Sequence, residues 1–414
     1  MAGVAIMGYG VVGSGVAEII AKHPQMLSAR AGQDIYLKYI LDVRDFPDSP
    51  FADKMIKDFS IIENDPEVSI VVETIGGSTF AYDFTKRALL AGKHVITSNK
   101  ELVAKHAVEF FEIAADKNVN YLFEASVGGG IPIIRPLNQC LAANKVEEVY
   151  GILNGTTNYI LTRMIESGLS FEDALKEAQA LGYAEANPSA DIHGDDACRK
   201  ICILSALAFG FHVYPDMVRI EGIQNIGAED IEMADMLGRK IKLLGRAKRM
   251  EDDKIYLSVS PYMIPATSPL ATINGVFNGI MVKGDSVDEV LFYGRGAGKL
   301  PTASAIVADV IDAAKHDRAR KWMDWEPADP DRIADCRQVA HEYFVRLQSD
   351  DFSAVLAKAT EIFGEGNILQ LVKTSDTVGG IVVAEIKEGL FFEKLDALKT
   401  ACGEGVVANK LMLF

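Results

Sequence analysis

Val4-Ala5-Ile6-Met7 is a short apolar run, and Gly8-Tyr9-Gly10-Val11-Val12-Gly13 follows it without a gap. Val16, Ala17, Ile19 and Ile20 then recur at helical spacing. A G-x-G-x-x-G alone is a weak signal, because glycine-rich turns that bind nothing are common. Between a buried strand and a helix it has the context the motif requires. Gly8 then permits the tight turn, Gly10 lets backbone approach a pyrophosphate, and Gly13 allows close helix–strand packing. Tyr9, Val11 and Val12 complete the loop, and the helix start offers unpaired N–H groups to phosphate. The stretch predicts a doubly wound α/β nucleotide domain, with NAD or NADP as its ligand.

Further βα units support that fold. Residues 35–41 read as a second strand ending at Asp42. An acid there suits the ribose hydroxyls of NAD, whereas Arg44 suits the 2′-phosphate of NADP. The two cues conflict, and a surface role for either side chain is the alternative. Residues 69–74 and 94–97 read as strands, 80–90 as a helix, and Gly76-Gly77-Ser78 as a turn. Ser98, Asn99 and Lys100 follow the 94–97 strand and open a helix running to residue 115. Ligands of open α/β sheets bind beyond the carboxyl ends of strands, so Lys100 is expected to face nicotinamide and substrate. A lysine at the positive end of a helix is unfavourable unless something anionic lies nearby. Residues 120–124 read as the next strand. Ser126-Val127-Gly128-Gly129-Gly130-Ile131-Pro132 then turns toward a helix. On the residues alone that loop is either a tight connection or a set of carbonyls for a hard cation, with Glu124 contributing.

A third stretch, residues 182–200, begins as a polar loop broken by Pro188 and enters an apolar helix over 201–209. Asp196 and Lys200 are four apart, and His193 is three before Asp196, on one stripe of a continuous helix. The spacing alone favours an exposed ion pair. Glu185 and Asp191 just upstream change that reading: three acids and one lysine at a loop–helix junction suit a small zwitterion. Upstream, a strand over 146–153 ends in Asn154-Gly155-Thr156-Thr157-Asn158-Tyr159, where a helix begins.

Period-2 patterning predicts strands at 241–246, 254–261, 282–283 and 289–292; the first equally prolongs a preceding helix. Residues 294–305 open a helix read as a return crossing to the nucleotide domain. After a charged linker around 322–332, residues 341–347, 353–363, 368–373, 380–386, 391–401 and 410–414 follow a β-α-β-β-α-β order, that of a ferredoxin-like unit. The expected domains are therefore 1–135, completed by about 296–325, then 136–295, then 335–414.

Composition narrows the functional classes. Against 42 basic residues stand 58 acids, a net charge of −16, which argues against nonspecific nucleic-acid or anionic-membrane binding. There is no leader-like basic and apolar start and no run long enough to span a bilayer. The five cysteines, Cys140, Cys198, Cys202, Cys336 and Cys402, form no C-x-x-C and read as reduced thiols in a cytoplasmic protein. The segments holding Cys140, Cys198 and Cys202 read as packed helices, which argues against an acyl-enzyme nucleophile.

Taken together, the chain resembles the homoserine dehydrogenases nearly end to end. The resemblance is carried by Gly8-x-Gly10-x-x-Gly13, Ser98-Asn99-Lys100, residues 124–132, residues 154–159, Gly182-Tyr183-x-Glu185, Asp191, and Asp196 through Lys200. It implies NAD(P)-dependent interconversion of L-homoserine and L-aspartate 4-semialdehyde, on the route to threonine, methionine and isoleucine. It implies a Rossmann-type domain, an α/β catalytic and dimerisation domain, and a C-terminal ACT-like domain, in a homodimer or homotetramer. By resemblance Lys200 and Lys100 are catalytic, and the two amines serve one site. Glu185, Asp191, Asp196, Thr156, Gly155 and Tyr183 bind substrate. Gly8 through Gly13, Arg44, Ser98 and Lys100 bind cofactor, and Glu124, Val127, Gly129 and Ile131 hold a monovalent cation, sodium. Two departures stand out. Asn187 replaces an acid, and Asp350-Asp351-Phe352-Ser353 lacks the proline and glycine of the usual ACT turn. Rival readings are a dehydrogenase of another small amino or hydroxy acid, and a nucleotide-sensing regulatory protein.

Overall fold

The structure, a computed structural model, describes residues 1–317, 319–321 and 323–414; Trp322 of the charged linker lies outside them. The chain forms two compact units. One comprises Met1–Val146, Cys202–Pro215 and Lys283–Asp329, and the other Glu147–Ile201, Asp216–Val282 and Pro330–Phe414.

In the first unit β1 (Ala2–Met7), β2 (Ile35–Leu41), β3 (Met55–Ile56), β4 (Val68–Glu73), β5 (His94–Thr97) and β6 (Tyr121–Leu122) make a parallel sheet of order β3-β2-β1-β4-β5-β6. The order reverses between β1 and β4, the switch point where such sheets take ligands. Every residue of β1 is buried, as a strand covered on both faces requires. Met7 pairs with Leu41 on one side and Glu73 on the other, and Glu73 with Thr97, so four strands end level at the carboxyl edge. Helix Lys299–Lys315 returns to this unit against helix Val11–Lys22. A Cβ at Gly15 would stand 2.9 Å from the Lys299 carbonyl, so only glycine lets the two helices approach this closely. The expected strand over 120–124 is limited to Tyr121–Leu122, because the chain bends at Glu124 into a 3-10 turn.

In the second unit β7 (Val146–Ile152), β8 (Arg219–Ile220), β9 (Arg239–Arg249), β10 (Ile255–Pro265) and β11 (Phe277–Gly284) precede β12 (Asp288–Arg295), whose residues belong to the first unit. The ambiguous 241–246 segment is a strand: Gly238, in the left-handed region, breaks it from helix Ala228–Met236, and β9 pairs with β10 at eleven positions. Next come β13 (Ala340–Gln348), β14 (Ile368–Lys373), β15 (Val378–Lys387) and β16 (Val407–Leu413), with helices Phe352–Phe363 and Glu388–Cys402 between them. These four strands run antiparallel in the order β16-β13-β15-β14, the ferredoxin-like arrangement. They are not a detached module. β16 pairs in parallel with β10 at Tyr262 and Met263, giving a continuous order β11-β7-β9-β10-β16-β13-β15-β14. One apolar core runs across the join, from Tyr150, Leu244 and Tyr262 to Tyr343, Phe352 and Phe391. The turn lacking proline and glycine is replaced by a side-chain cap: Asp351 accepts from the Ala354 amide at 3.0 Å.

Candidate active site

The second unit gathers two of the three predicted acids with the lysine, and adds an amide. Helix Asp195–Phe209 brings Asp196 under Lys200 one turn later, and the ammonium meets Asp196 Oδ2 at 2.8 Å. Both residues are buried, 7% and 8% exposed. The exposed pair favoured by spacing alone is therefore corrected: the apolar face that follows carries the pair inward. Lys200 also donates to the Leu153 carbonyl at the end of β7, at 2.8 Å. His193 does not share the helix stripe, because Gly194 at φ +95° separates it from the helix and leaves it exposed.

Asn154, quoted in the sequence only as part of a motif, is the hub. Its Nδ2 donates to Asp191 Oδ1 at 2.7 Å and to Asp196 Oδ2 at 2.9 Å. Its Oδ1 accepts from the Thr157 amide at 2.8 Å, capping helix Gly155–Ser167. Only an amide offers an acceptor to a helix start and two donors to acids. An N-cap preference gave no warning of the second function. Burial pushes the Asp191 carboxyl up, and the neighbouring Asp196 pushes it further. Two carboxylates and one ammonium thus converge beside one side-chain amide. Thr156 donates to the Tyr183 carbonyl at 2.7 Å, fixing the loop that carries Glu185. Gly155 is required sterically, since a Cβ would stand 2.8 Å from the Val276 carbonyl. Glu185 and Tyr183 are exposed, and Glu185 is not drawn into the Asn154 cluster.

The first unit supplies a nucleotide cradle. Gly8 lies at φ +94°, and a Cβ at Gly13 would stand 1.9 Å from the Gly8 carbonyl. At Gly10 no atom of the described residues beyond its chain neighbours lies within 4 Å of where a Cβ would stand, so the space above the turn is open. Gly10 caps helix Val11–Lys22 with no side-chain bond, leaving its first amides available to an anion. Asp42 receives the Tyr9 amide at 2.7 Å, which ties the loop to the end of β2. Its two oxygens also receive Arg44 Nε at 3.0 Å and Nη2 at 2.9 Å. The conflicting cues are thus one forked pair, and the arginine beside it holds the Asp42 carboxyl down at about 2. Ser98, Asn99 and Lys100 follow β5, and Asn99 caps helix Lys100–Lys117 by accepting from Leu102 N. Lys100 is its first residue, half-buried.

The Glu124 carboxylate is committed within the protein. It accepts from the amides of Ile133, Ile134 and Arg135 at 2.7, 2.8 and 2.9 Å, and from Arg135 Nε at 3.1 Å. A cation at this loop would therefore meet main-chain carbonyls. Gly129 has φ +56°, and a Cβ there would stand 2.3 Å from the Gly296 carbonyl. Among the described residues no group of three His, Cys, Asp or Glu is placed to hold a metal. No helix among them is long and apolar enough to cross a membrane. Cys198 and Cys202 are buried as expected, whereas Cys140 is exposed, because its helical segment is a five-residue π turn at the surface.

The chain as a whole has close relatives among known proteins. The family model described as the NAD-binding domain of homoserine dehydrogenase matches residues 8–124, and that described as homoserine dehydrogenase matches residues 132–311. The chain belongs to the homoserine dehydrogenase family. Members of this family are NAD(P)-dependent oxidoreductases. The chain is 40% identical over 379 residues to the homoserine dehydrogenase of Pseudomonas aeruginosa, covering 88% of this chain and 86% of that one. It is 37% identical over 395 residues to that of Bacillus subtilis, covering 92% and 90%. The crystal structure of the homoserine dehydrogenase from Thiobacillus denitrificans superposes with a TM-score of 0.89 at 37% identity, over 100% of this chain and 98% of that one. A hyperthermophilic archaeal homoserine dehydrogenase in complex with NADPH matches with a TM-score of 0.63 at 27% identity, over 75% of this chain and 97% of that one.

Proposed function

We propose that this homoserine dehydrogenase interconverts L-homoserine and L-aspartate 4-semialdehyde, with Lys200 as the proton-handling group at the substrate's alcohol oxygen. The observation that carries the assignment is the cluster of buried Lys200, Asp196 and Asn154 with half-buried Asp191. Two carboxylates beside one ammonium suit the recognition of an amino acid's own ammonium. Asp191 and Asp196 hold it, Thr156 and Gly155 shape the wall, and Glu185 and Tyr183 close over it from the exposed loop. The nicotinamide, when bound, supplies the redox chemistry. Lys200 Nζ gives a proton to the forming alkoxide during reduction and takes it back during oxidation. Lys100, at the carboxyl edge of the first unit's sheet, is the second catalytic amine, on the nicotinamide side.

Gly8 through Gly13 with Ser98 hold the cofactor, and the Arg44 guanidinium, 60% exposed at its side chain, suits the 2′-phosphate of NADP. The archaeal relative's complex with NADPH supports the same choice. The carbonyls of Glu124, Val127, Gly129 and Ile131 suit a monovalent cation, sodium. Residues 1–135 with 296–325 are the cofactor domain, 136–295 the catalytic and dimerisation domain, and 335–414 an ACT-like regulatory domain of a cytoplasmic homodimer or homotetramer.

The test is absorbance at the reduced-nicotinamide band with homoserine and each cofactor. Turnover with homoserine, greater with NADP than with NAD, is expected. Tight cofactor binding without turnover would instead favour a nucleotide sensor.

A further inference from the structure

Glu73 ends β4 at the switch point of the first unit's sheet and is wholly buried. A carboxyl in such a place is costly unless its bonds are needed, and burial pushes it up. Its Oε1 accepts from the amides of Ile75 at 2.8 Å and Gly76 at 3.4 Å. Its Oε2 accepts from the hydroxyl of Thr97, its register partner at the end of β5, at 2.6 Å. Thr97 Oγ1 in turn accepts from the Asn99 amide at 2.9 Å. Asn99 Nδ2 donates to the Gly77 carbonyl at 2.6 Å, while its Oδ1 caps the helix that Lys100 begins. The bonds close a ring: the turn after β4, the carboxyl, the end of β5, the helix start, and the turn again. Gly76 and Gly77 lie at φ +82° and +68°, with open space where their Cβ atoms would stand. The turn thus faces outward at the ligand edge while its inner side is pinned.

We infer that Glu73 is a positioning residue that fixes the Lys100 amine and the Gly76 and Gly77 turn in one geometry, acting through Thr97 and Asn99. The inference rests on the role proposed for Lys100. The hydroxyl of Thr97 is the link that can be cut with least disturbance, since valine has its shape and lacks its bonds.

The experiment compares Thr97→Val, Thr97→Ser and Lys100→Met in the full-length enzyme, reading kcat, both KM values and Tm. Thr97→Val is expected to lower kcat about tenfold to a hundredfold, as small misplacements of reacting groups do, with homoserine KM nearly unchanged and Tm lowered, since the buried Glu73 carboxyl and the Asn99 amide each lose a partner. Thr97→Ser, which keeps the hydroxyl, is expected to restore kcat. A Thr97→Val enzyme within about twofold of the parent in kcat overturns the inference. So does a loss that tracks Tm and is not restored by serine, because that is a purely structural effect. An inactive Lys100→Met beside an unaffected Thr97→Val removes this inference alone. A fully active Lys100→Met removes the role of the lysine, and the inference with it.

Discussion

Replacing Asn154 separates its two functions. In Asn154→Ala the bonds to Asp191 and Asp196 disappear together with the helix cap. Each hydrogen bond to an ionised group contributes about 1.5–3 kcal/mol, and an N-cap about 1 kcal/mol. Water entering the space left by the amide recovers part of this, so the expected cost is about 3–4 kcal/mol. Asn154→Asp keeps the cap, because a carboxylate accepts from the Thr157 amide as well as the amide oxygen does. It replaces the two donors by an acceptor and sets a third negative charge against Asp191 and Asp196. The cap argument alone ranks aspartate as harmless. The cluster argument ranks it as at least as damaging as alanine, and predicts partial recovery toward pH 4, where the introduced carboxyl regains a proton to donate. Urea unfolding of parent and both variants at pH 7 and pH 5, with turnover at the reduced-nicotinamide band, separates the two. An Asn154→Asp enzyme with parental stability and turnover at pH 7 would refute the assignment of Asn154 as the clamp between the acids.

Lys200→Met should abolish turnover while leaving cofactor affinity, read by reduced-nicotinamide fluorescence, intact; near-normal turnover would remove its role. Gly10→Ala should fold like the parent yet lose cofactor affinity, because the open space at Gly10 is where the pyrophosphate is expected. Gly13→Ala should lose both affinity and Tm, since its methyl overlaps the Gly8 carbonyl; equal behaviour of the two would contradict this reading of the loop. Arg44→Ala should weaken binding of NADP more than of NAD. It should also flatten the acid limb of stability, because Asp42, at about 2 when folded against 3.8 otherwise, stabilises the fold above pH 3.8 and loses that contribution as pH falls toward 2. The exposed arginine limits this to about 1–2 kcal/mol. His341 is held neutral, pushed down to about 3 by burial and then by Arg246, Arg219 and Lys248. Its contribution to stability is therefore fully present above pH 6.5 and is lost as pH drops toward 3. His341→Gln should remove about one proton from the slope of unfolding free energy against pH, and an unchanged slope would contradict the neutral state.

Much of the first unit was legible in sequence because its signals are local. A run of four apolar residues, three glycines at fixed spacing and a helical periodicity each act within one turn of chain, and together they specify strand, turn and helix. The ferredoxin-like order of the C-terminal unit was legible for the same reason. Its fusion to the central sheet was not, since nothing in the residues of β16 marks which strand it will meet beyond β13. The lysine and its acid were visible as a spacing. Whether Asp196 and Lys200 sit in water or under a helix depends on what the apolar face packs against, and only the tertiary structure decided that. The same holds for Asn154, a recognisable cap whose two amide protons find carboxylates 37 and 42 residues away. Glu73 is the clearest case: in sequence it is merely the end of a strand, and its bond to Thr97 exists because two parallel strands end in register. Local sequence sets which elements form, and long-range packing sets which side chains lose their water and must find one another.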